Sequence, residues 1–220
     1  MGRIVYPEID LKNIKNIFID IDDTLYQYEP CHNYALEYCA DLAVNKYHLN
    51  VTVEEFKQIY RQYRSNVTKR LHPQGVCRSR LIAFIELFAD LNVSDSYNLA
   101  VQFDIIYWEK LISRIKIEQD AKEFLERAYK NEIIVAAVTD MTTAEQIKKI
   151  NKMDISKYIK YIISSEMAGV EKPDKRIFQY AINMTKASID TTIMIGDSVE
   201  KDGKGAEAVG IKFYRVIKND

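Results

Sequence analysis

Ile17-Phe18-Ile19-Asp20-Ile21-Asp22-Asp23-Thr24-Leu25 decides how this chain folds. The apolar run Ile17-Phe18-Ile19 predicts a buried strand over about Asn16 to Asp20, and that strand ends on a carboxylate with a second one two residues on. Side chains at i and i+2 leave a strand on one face, so Asp20 and Asp22 can approach one reacting atom together. Asp23 points to the other side, where a turn or cap role is favoured. Two anions this close are costly unless a divalent cation, or a raised pKa that keeps one protonated, offsets them.

The character of the chain changes after the turn-like Tyr26-Gln27-Tyr28-Glu29-Pro30. From about Cys31 to Ser113, apolar residues recur at three- and four-residue spacing: Phe56, Ile59, Tyr60, Tyr63 and Val67; Leu81, Phe84, Ile85, Phe88 and Leu91; Leu99, Phe103, Ile106, Tyr107 and Leu111. These are helix faces. Past about Ile117 strands and helices alternate, with strands expected at Ile133 to Val138, Tyr161 to Ile163, Thr192 to Ile195 and Lys212 to Val216. Helices are expected near 119–130, 143–152, 174–185 and 201–209. Near-continuous apolar strands between amphipathic helices imply a parallel sheet covered on both faces. The predicted fold is therefore α/β, a three-layer, Rossmann-like core over 1–26 and 114–220 with an inserted all-helical domain over 27–113.

Parallel sheets bind ligands at the carboxyl ends of their strands. Asp20 and Asp22 close the first strand, Thr139 and Asp140 follow Val138, and Gly196 and Asp197 follow Ile195. All should meet at one sheet edge, with Lys172 and Asp202 near them. Four carboxylates against one lysine in a crevice suit a hard, oxygen-loving cation such as Mg²⁺.

Composition narrows the partners. With 31 basic and 32 acidic residues the formal charge is −1, so no global field favours nucleic acid or an anionic membrane. The three cysteines, Cys31, Cys39 and Cys77, lack CxxC spacing and are expected as reduced, mostly buried thiols. The stretch Met1 to Pro7 has no apolar signal segment, and no apolar run approaches the roughly 20 residues that span a bilayer, so a soluble cytoplasmic protein is expected, with disorder confined to the termini.

The order Asp20-x-Asp22-x-Thr24, Thr139 after a strand, Lys172-Pro173, then Gly196-Asp197-Ser198-Val199-Glu200-Lys201-Asp202 resembles the four motifs of the haloacid dehalogenase-like (HAD) hydrolase superfamily. The helical insert is similar to that superfamily's C1-type cap. The resemblance implies a phosphatase acting on a small phosphorylated metabolite such as a nucleotide or sugar phosphate. It implies Asp20 as nucleophile forming an aspartyl-phosphate, and Asp22 as acid and then base. Mg²⁺ would be held by Asp20, the Asp22 backbone carbonyl and Asp197; Thr139 and Lys172 would bind the phosphate, and Asp202 would orient the metal's waters or Lys172. As an acid, Asp22 should be protonated, which neighbouring anions and partial burial favour.

Within the insert, Arg80 precedes an apolar face and is the candidate for a fork-like contact to an anionic substrate. Asp140 departs from the family pattern, and is expected to point away from the phosphate or cap the next helix. A phosphomutase or a dehalogenase of the same superfamily, and a non-catalytic phosphate-binding regulatory protein, remain as alternatives. Asp22 argues against the dehalogenase, which needs no acid there.

Overall fold

The computed structural model describes residues 3–219, which form two compact units. One contains the chain up to Tyr28 and from Ile115 onward, the other Glu29–Arg114.

The first unit holds β1 (Arg3–Val5), β2 (Asn16–Ile19), β3 (Ile134–Thr139), β4 (Tyr161–Ser164), β5 (Thr192–Gly196), β6 (Lys212–Arg215) and β7 (Ile217–Asn219). Five of these form a parallel sheet in the order β4-β3-β2-β5-β6, with β2 at its centre. Ile19 stands opposite Ala137 of β3 and Ile195 of β5, so the three central strands end close to level. That register brings Asp20, Thr139 and Gly196 to the same edge.

Both faces of the sheet are buried, as the unbroken apolar runs require. Phe18, Val138, Ile163 and Met194 pack with Ile177, Phe178 and Ala181 in one cluster, while Ile17, Ile19, Ala137, Ile193 and Ile195 are buried as well. Each of the isoleucine, valine, phenylalanine and methionine side chains contributes about 1.5–3 kcal/mol on burial. The connections carry α5 (Gln119–Lys130), α6 (Thr143–Lys152), α7 (Ser165–Ala168), α8 (Lys175–Thr185) and α9 (Lys204–Glu207). Before α9 the chain makes a π-helical turn, Val199–Gly203, where the sequence predicts one helix over 201–209. The turn widens because the N–H groups of Asp202 and Gly203 both bond back to the carbonyl of Ser198.

β1 and β7 pair antiparallel as a separate ribbon, and Ile4 is fully buried. The disorder expected at the termini concerns Met1, Gly2 and Asp220, which lie outside the described residues.

The second unit is built from α1 (Tyr28–Asn45), α2 (Val53–Leu71), α3 (Arg80–Asp90) and α4 (Ser96–Arg114). Thr52 and Glu55 form a reciprocal capping box at the start of α2. Phe56, Tyr60, Phe84, Phe88, Phe103 and Tyr107 make an aromatic core with tilted and edge-on contacts. The buried face of α3 runs through Arg80, Ala83, Phe84, Leu87 and Phe88, rotated from the predicted face, whose Leu81 and Ile85 are half-buried. Among the described residues no helix is long and apolar enough to cross a membrane, and the three cysteines are buried without a disulfide.

Candidate active site

At the carboxyl edge of the sheet, Lys172 is the centre of the charge arrangement. Its side chain is buried, and Nζ lies 2.6 Å from Oδ1 of Asp202, 2.9 Å from Oδ1 of Asp20 and 3.0 Å from the carbonyl of Val138. Three donors meet three acceptors, which is what keeps an ammonium stable away from water. Burial works against its charge, but Asp20, Asp202 and Asp140 outweigh burial and hold Lys172 protonated well above the usual lysine range.

Asp20 follows β2 and is tied down by its own N–H, which donates to Ile195 at 2.9 Å. Burial pushes its carboxyl up to about 7 against the pull of Lys172, with Asp202 and Asp22 adding to the rise. Asp197 is pushed up to about 6 by burial and by the charges of Asp20 and Asp23. Asp20, Asp197 and Asp202 each present an oxygen within 4.8 Å of the others. An all-carboxylate set of this kind fits a hard divalent cation, whose charge offsets the repulsion that raises these groups. Asp202 is the most anchored of the three: Oδ1 accepts from Lys172 and Oδ2 from the Ser198 N–H at 3.1 Å.

The carboxylate of Asp22 turns toward α6. Lys149 Nζ sits 2.6 Å from its Oδ1 and 2.9 Å from its Oδ2, the Tyr26 hydroxyl donates to Oδ1, and Gln146 Nε2 lies 3.3 Å from Oδ2. This corrects the expectation of an Asp22 kept protonated by its neighbours. Burial raises its carboxyl, but the Lys149 charge and hydrogen bonds from Lys149, Tyr26 and Gln146 win and hold it below the usual carboxylate range. Asp23, with φ of 60°, accepts the Tyr28 N–H at 2.9 Å and pairs with Lys218.

Thr139 closes β3 with 1% exposure, and its Oγ1 lies 2.7 Å from Gln146 Nε2. Both oxygens of Asp140 are engaged by lysines. Its Oδ1 accepts the backbone N–H of Lys172 at 2.8 Å and its Oδ2 accepts Lys201 Nζ at 2.8 Å, so it links the Lys172 loop to the turn after β5. It does not cap α6, whose N-cap is Thr142; Glu166 takes the Thr143 N–H instead.

Arg80 belongs to the helical unit. Its guanidinium stacks 4.9 Å from the Tyr107 ring centre and 4.5 Å from that of Trp108, and Nη1 donates to the Arg78 carbonyl at 3.2 Å. Sequence reasoning missed Tyr26, Gln146, Lys149 and Lys201. For Lys149 the hydrophobic pattern points the wrong way, because Ile147 is 42% exposed while Lys149 is fully buried.

Residues 14–210 match the haloacid dehalogenase-like hydrolase family. The chain is 27% identical over 200 residues to a ribulose-1,5-bisphosphate 5-phosphatase of Halopiger xanaduensis, covering 89% of this chain and 82% of that protein. It is 22% identical to a glyceraldehyde 3-phosphate phosphatase of Pyrococcus furiosus, covering 92% and 80%. Among solved structures, a 2-haloacid dehalogenase from Pseudomonas syringae pv. Tomato DC3000 superimposes with a TM-score of 0.75 at 20% identity, covering 91% of this chain and 85% of that one. A HAD phosphatase from Thermococcus onnurineus gives 0.64 at 20% identity, covering 91% and 85%.

Proposed function

The chain belongs to the haloacid dehalogenase-like hydrolase family, and from that footing we propose that it is a Mg²⁺-dependent phosphatase hydrolysing a small phosphorylated metabolite through an aspartyl-phosphate on Asp20. The observation that carries this reading is the Asp20–Lys172 contact of 2.9 Å beside the carboxylates of Asp197 and Asp202. A carboxylate beside a buried ammonium and two further carboxylates is the arrangement that a nucleophile, a fixed cation and a metal-holding group would need, and it supports the reading. The names of the similar proteins, a sugar bisphosphate phosphatase and a triose phosphate phosphatase, favour phosphorylated sugars within the substrate class.

In this reading Asp22 takes up a proton from solvent against the pull of Lys149, an Asp20 oxygen attacks phosphorus while the bond to the leaving oxygen breaks, and the Asp22 carboxyl gives that proton to the leaving oxygen. Asp22, now a carboxylate, takes a proton from the water that cleaves the phosphoryl group from Asp20, releasing phosphate. The carboxylate form that Lys149 favours is the one this second half requires. Thr139 donates to a phosphoryl oxygen and the Lys172 charge attracts the phosphoryl group as it joins Asp20, with Asp202 holding Lys172 in place. Mg²⁺, held by Asp20, Asp197 and the Asp22 carbonyl, would when bound neutralise charge on the phosphoryl group.

The helical unit Glu29–Arg114 is read as a C1-type cap that discriminates among substrates. Arg80 is its proposed substrate contact, and the Tyr107 and Trp108 rings against its guanidinium support this by limiting how the fork can turn.

Release of p-nitrophenol from p-nitrophenyl phosphate, with and without Mg²⁺, tests the reading in the parent protein and in Asp20→Asn. Turnover should need Mg²⁺ and vanish in the variant; equal rates in both proteins would sink it. A panel of phosphorylated sugars and nucleotides run against Arg80→Ala tests the cap contact, which predicts a loss selective for one substrate.

A further inference from the structure

Helix α6 carries two polar residues, Gln146 and Lys149, whose side chains are completely buried. They are three residues apart and so share one face of the helix. A lysine in the last turn of a surface helix ordinarily reaches water, where its charge complements the helix dipole. Lys149 instead spans both oxygens of Asp22 at 2.6 and 2.9 Å.

Gln146 bridges the other way. Its Nε2 donates to Thr139 Oγ1 at 2.7 Å and to Asp22 Oδ2 at 3.3 Å, while its Oε1 is buried with no partner among the described residues. The orientation of this amide follows from chemistry. A carboxylate only accepts, so the NH₂ end must face Asp22. The same NH₂ then occupies the acceptor side of the Thr139 hydroxyl, leaving that hydroxyl's own hydrogen to point elsewhere.

We propose that α6 is the positioning element of the active site: Lys149, with Tyr26, fixes the Asp22 carboxylate in one orientation, and Gln146 sets the Thr139 hydroxyl as a donor toward the phosphoryl group. The inference rests on the phosphatase reading above. Asp22 has to meet the leaving oxygen, and a misplaced proton donor or acceptor loses rate steeply. Thr139 has to donate to an anionic phosphoryl oxygen, and a hydroxyl turned to donate into the protein would present only lone pairs to it. A buried polar pair bonded to two different site residues achieves both from one helix face.

A merely structural ion pair would also explain Lys149, so the test needs a readout that folding alone does not move. kcat/KM reports the steps through loss of the leaving group. It is to be measured with Mg²⁺ on p-nitrophenyl phosphate, whose leaving oxygen needs little help from a proton, and on an alkyl phosphate, whose leaving oxygen needs it. Losing the ammonium also makes Asp22 easier to protonate, so the comparison is made at each protein's pH optimum, where Lys149→Met should lower kcat/KM on the alkyl phosphate at least about tenfold more than on p-nitrophenyl phosphate because a loosened Asp22 misses the leaving oxygen. Lys149→Arg should recover part of the difference. Gln146→Met should lower kcat/KM on both substrates alike, since the phosphoryl group is common to them.

Equal losses on both substrates for Lys149→Met, or none, overturn the role of Lys149. A leaving-group-selective loss for Gln146→Met overturns that of Gln146. Should Lys149→Met not fold, Tyr26→Phe, which deletes one hydroxyl, must show the same selectivity at smaller scale. A parent protein inactive on both substrates would mean that the phosphatase reading itself had failed. An active parent with variants indistinguishable from it overturns only the inference.

Discussion

A Cβ on Gly196 would lie 2.1 Å from Oδ2 of Asp202 and 2.5 Å from its Cγ. Asp202 cannot simply rotate aside, because its two oxygens are engaged by Lys172 and by the Ser198 amide. The glycine at the end of β5 is therefore a space requirement for the residue that anchors Lys172. Gly196→Ala should destabilise the protein by about 1–3 kcal/mol, the usual range for overpacking a tight site, and lower turnover as Lys172 shifts. Urea midpoints and kcat measured together check this; a variant with parental values of both would show that Asp202 has room to move.

Asp140 gives a second prediction. By accepting the Lys172 N–H and the Lys201 ammonium it fixes the loop that delivers Lys172. Asp140→Ala should cost roughly 10–100-fold in kcat/KM, the scale expected when a charged group is displaced by about 1 Å. Asp140→Asn keeps an oxygen that can accept the Lys172 amide, and should retain more activity than the alanine variant. Steady-state kinetics on a single substrate decide the order.

The acidic group predicts opposite effects of one substitution with and without metal. Burial and the charges of Asp20 and Asp23 raise Asp197 to about 6 from 3.8, so above pH 6 its ionisation disfavours the metal-free fold. Removing that charge in Asp197→Asn should stabilise the metal-free protein at pH 8 by on the order of 1–2 kcal/mol. The parent protein should gain about 2.7 kcal/mol at Mg²⁺ concentrations a hundredfold above Kd, and the variant much less. Thermal melts in EDTA and in excess Mg²⁺ give both numbers.

Stability should also fall with acid through His32. Burial, then the charges of Arg80, Arg61 and Arg64, push its imidazole down to about 4 from 6.5, and its Nδ1 lies 2.6 Å from the Tyr107 hydroxyl. Between those values the unfolded chain binds a proton that the folded one does not, so the contribution of His32 is full above pH 6.5 and is lost as pH falls to 4. The loss is on the order of 2–3 kcal/mol. Comparing the pH dependence of unfolding for the parent and His32→Gln isolates it: the variant's curve should be flatter in that window.

Strand periods and strand-end residues made the core legible. Ile17-Phe18-Ile19 and the apolar run from Ile133 specify strands buried on both faces, and β2, β3 and β5 lie within a residue of the predicted bounds. Helix α6 matches its predicted range, yet its contribution to the site did not follow from its sequence. The pattern suggests that Ile147 goes inward and Lys149 outward; the packing reverses them, because Asp22 supplies an acceptor that compensates a buried ammonium.

The sequence by itself determined which strand ends carry Asp20, Thr139 and Asp197, since side-chain periodicity is local and a parallel sheet gathers its carboxyl ends at one edge. Only the tertiary structure decided the charge state of Asp22 and the partners of Asp140. Both depend on lysines distant in the chain, Lys149 and Lys201, and a pairing of charges across the fold leaves no periodic trace.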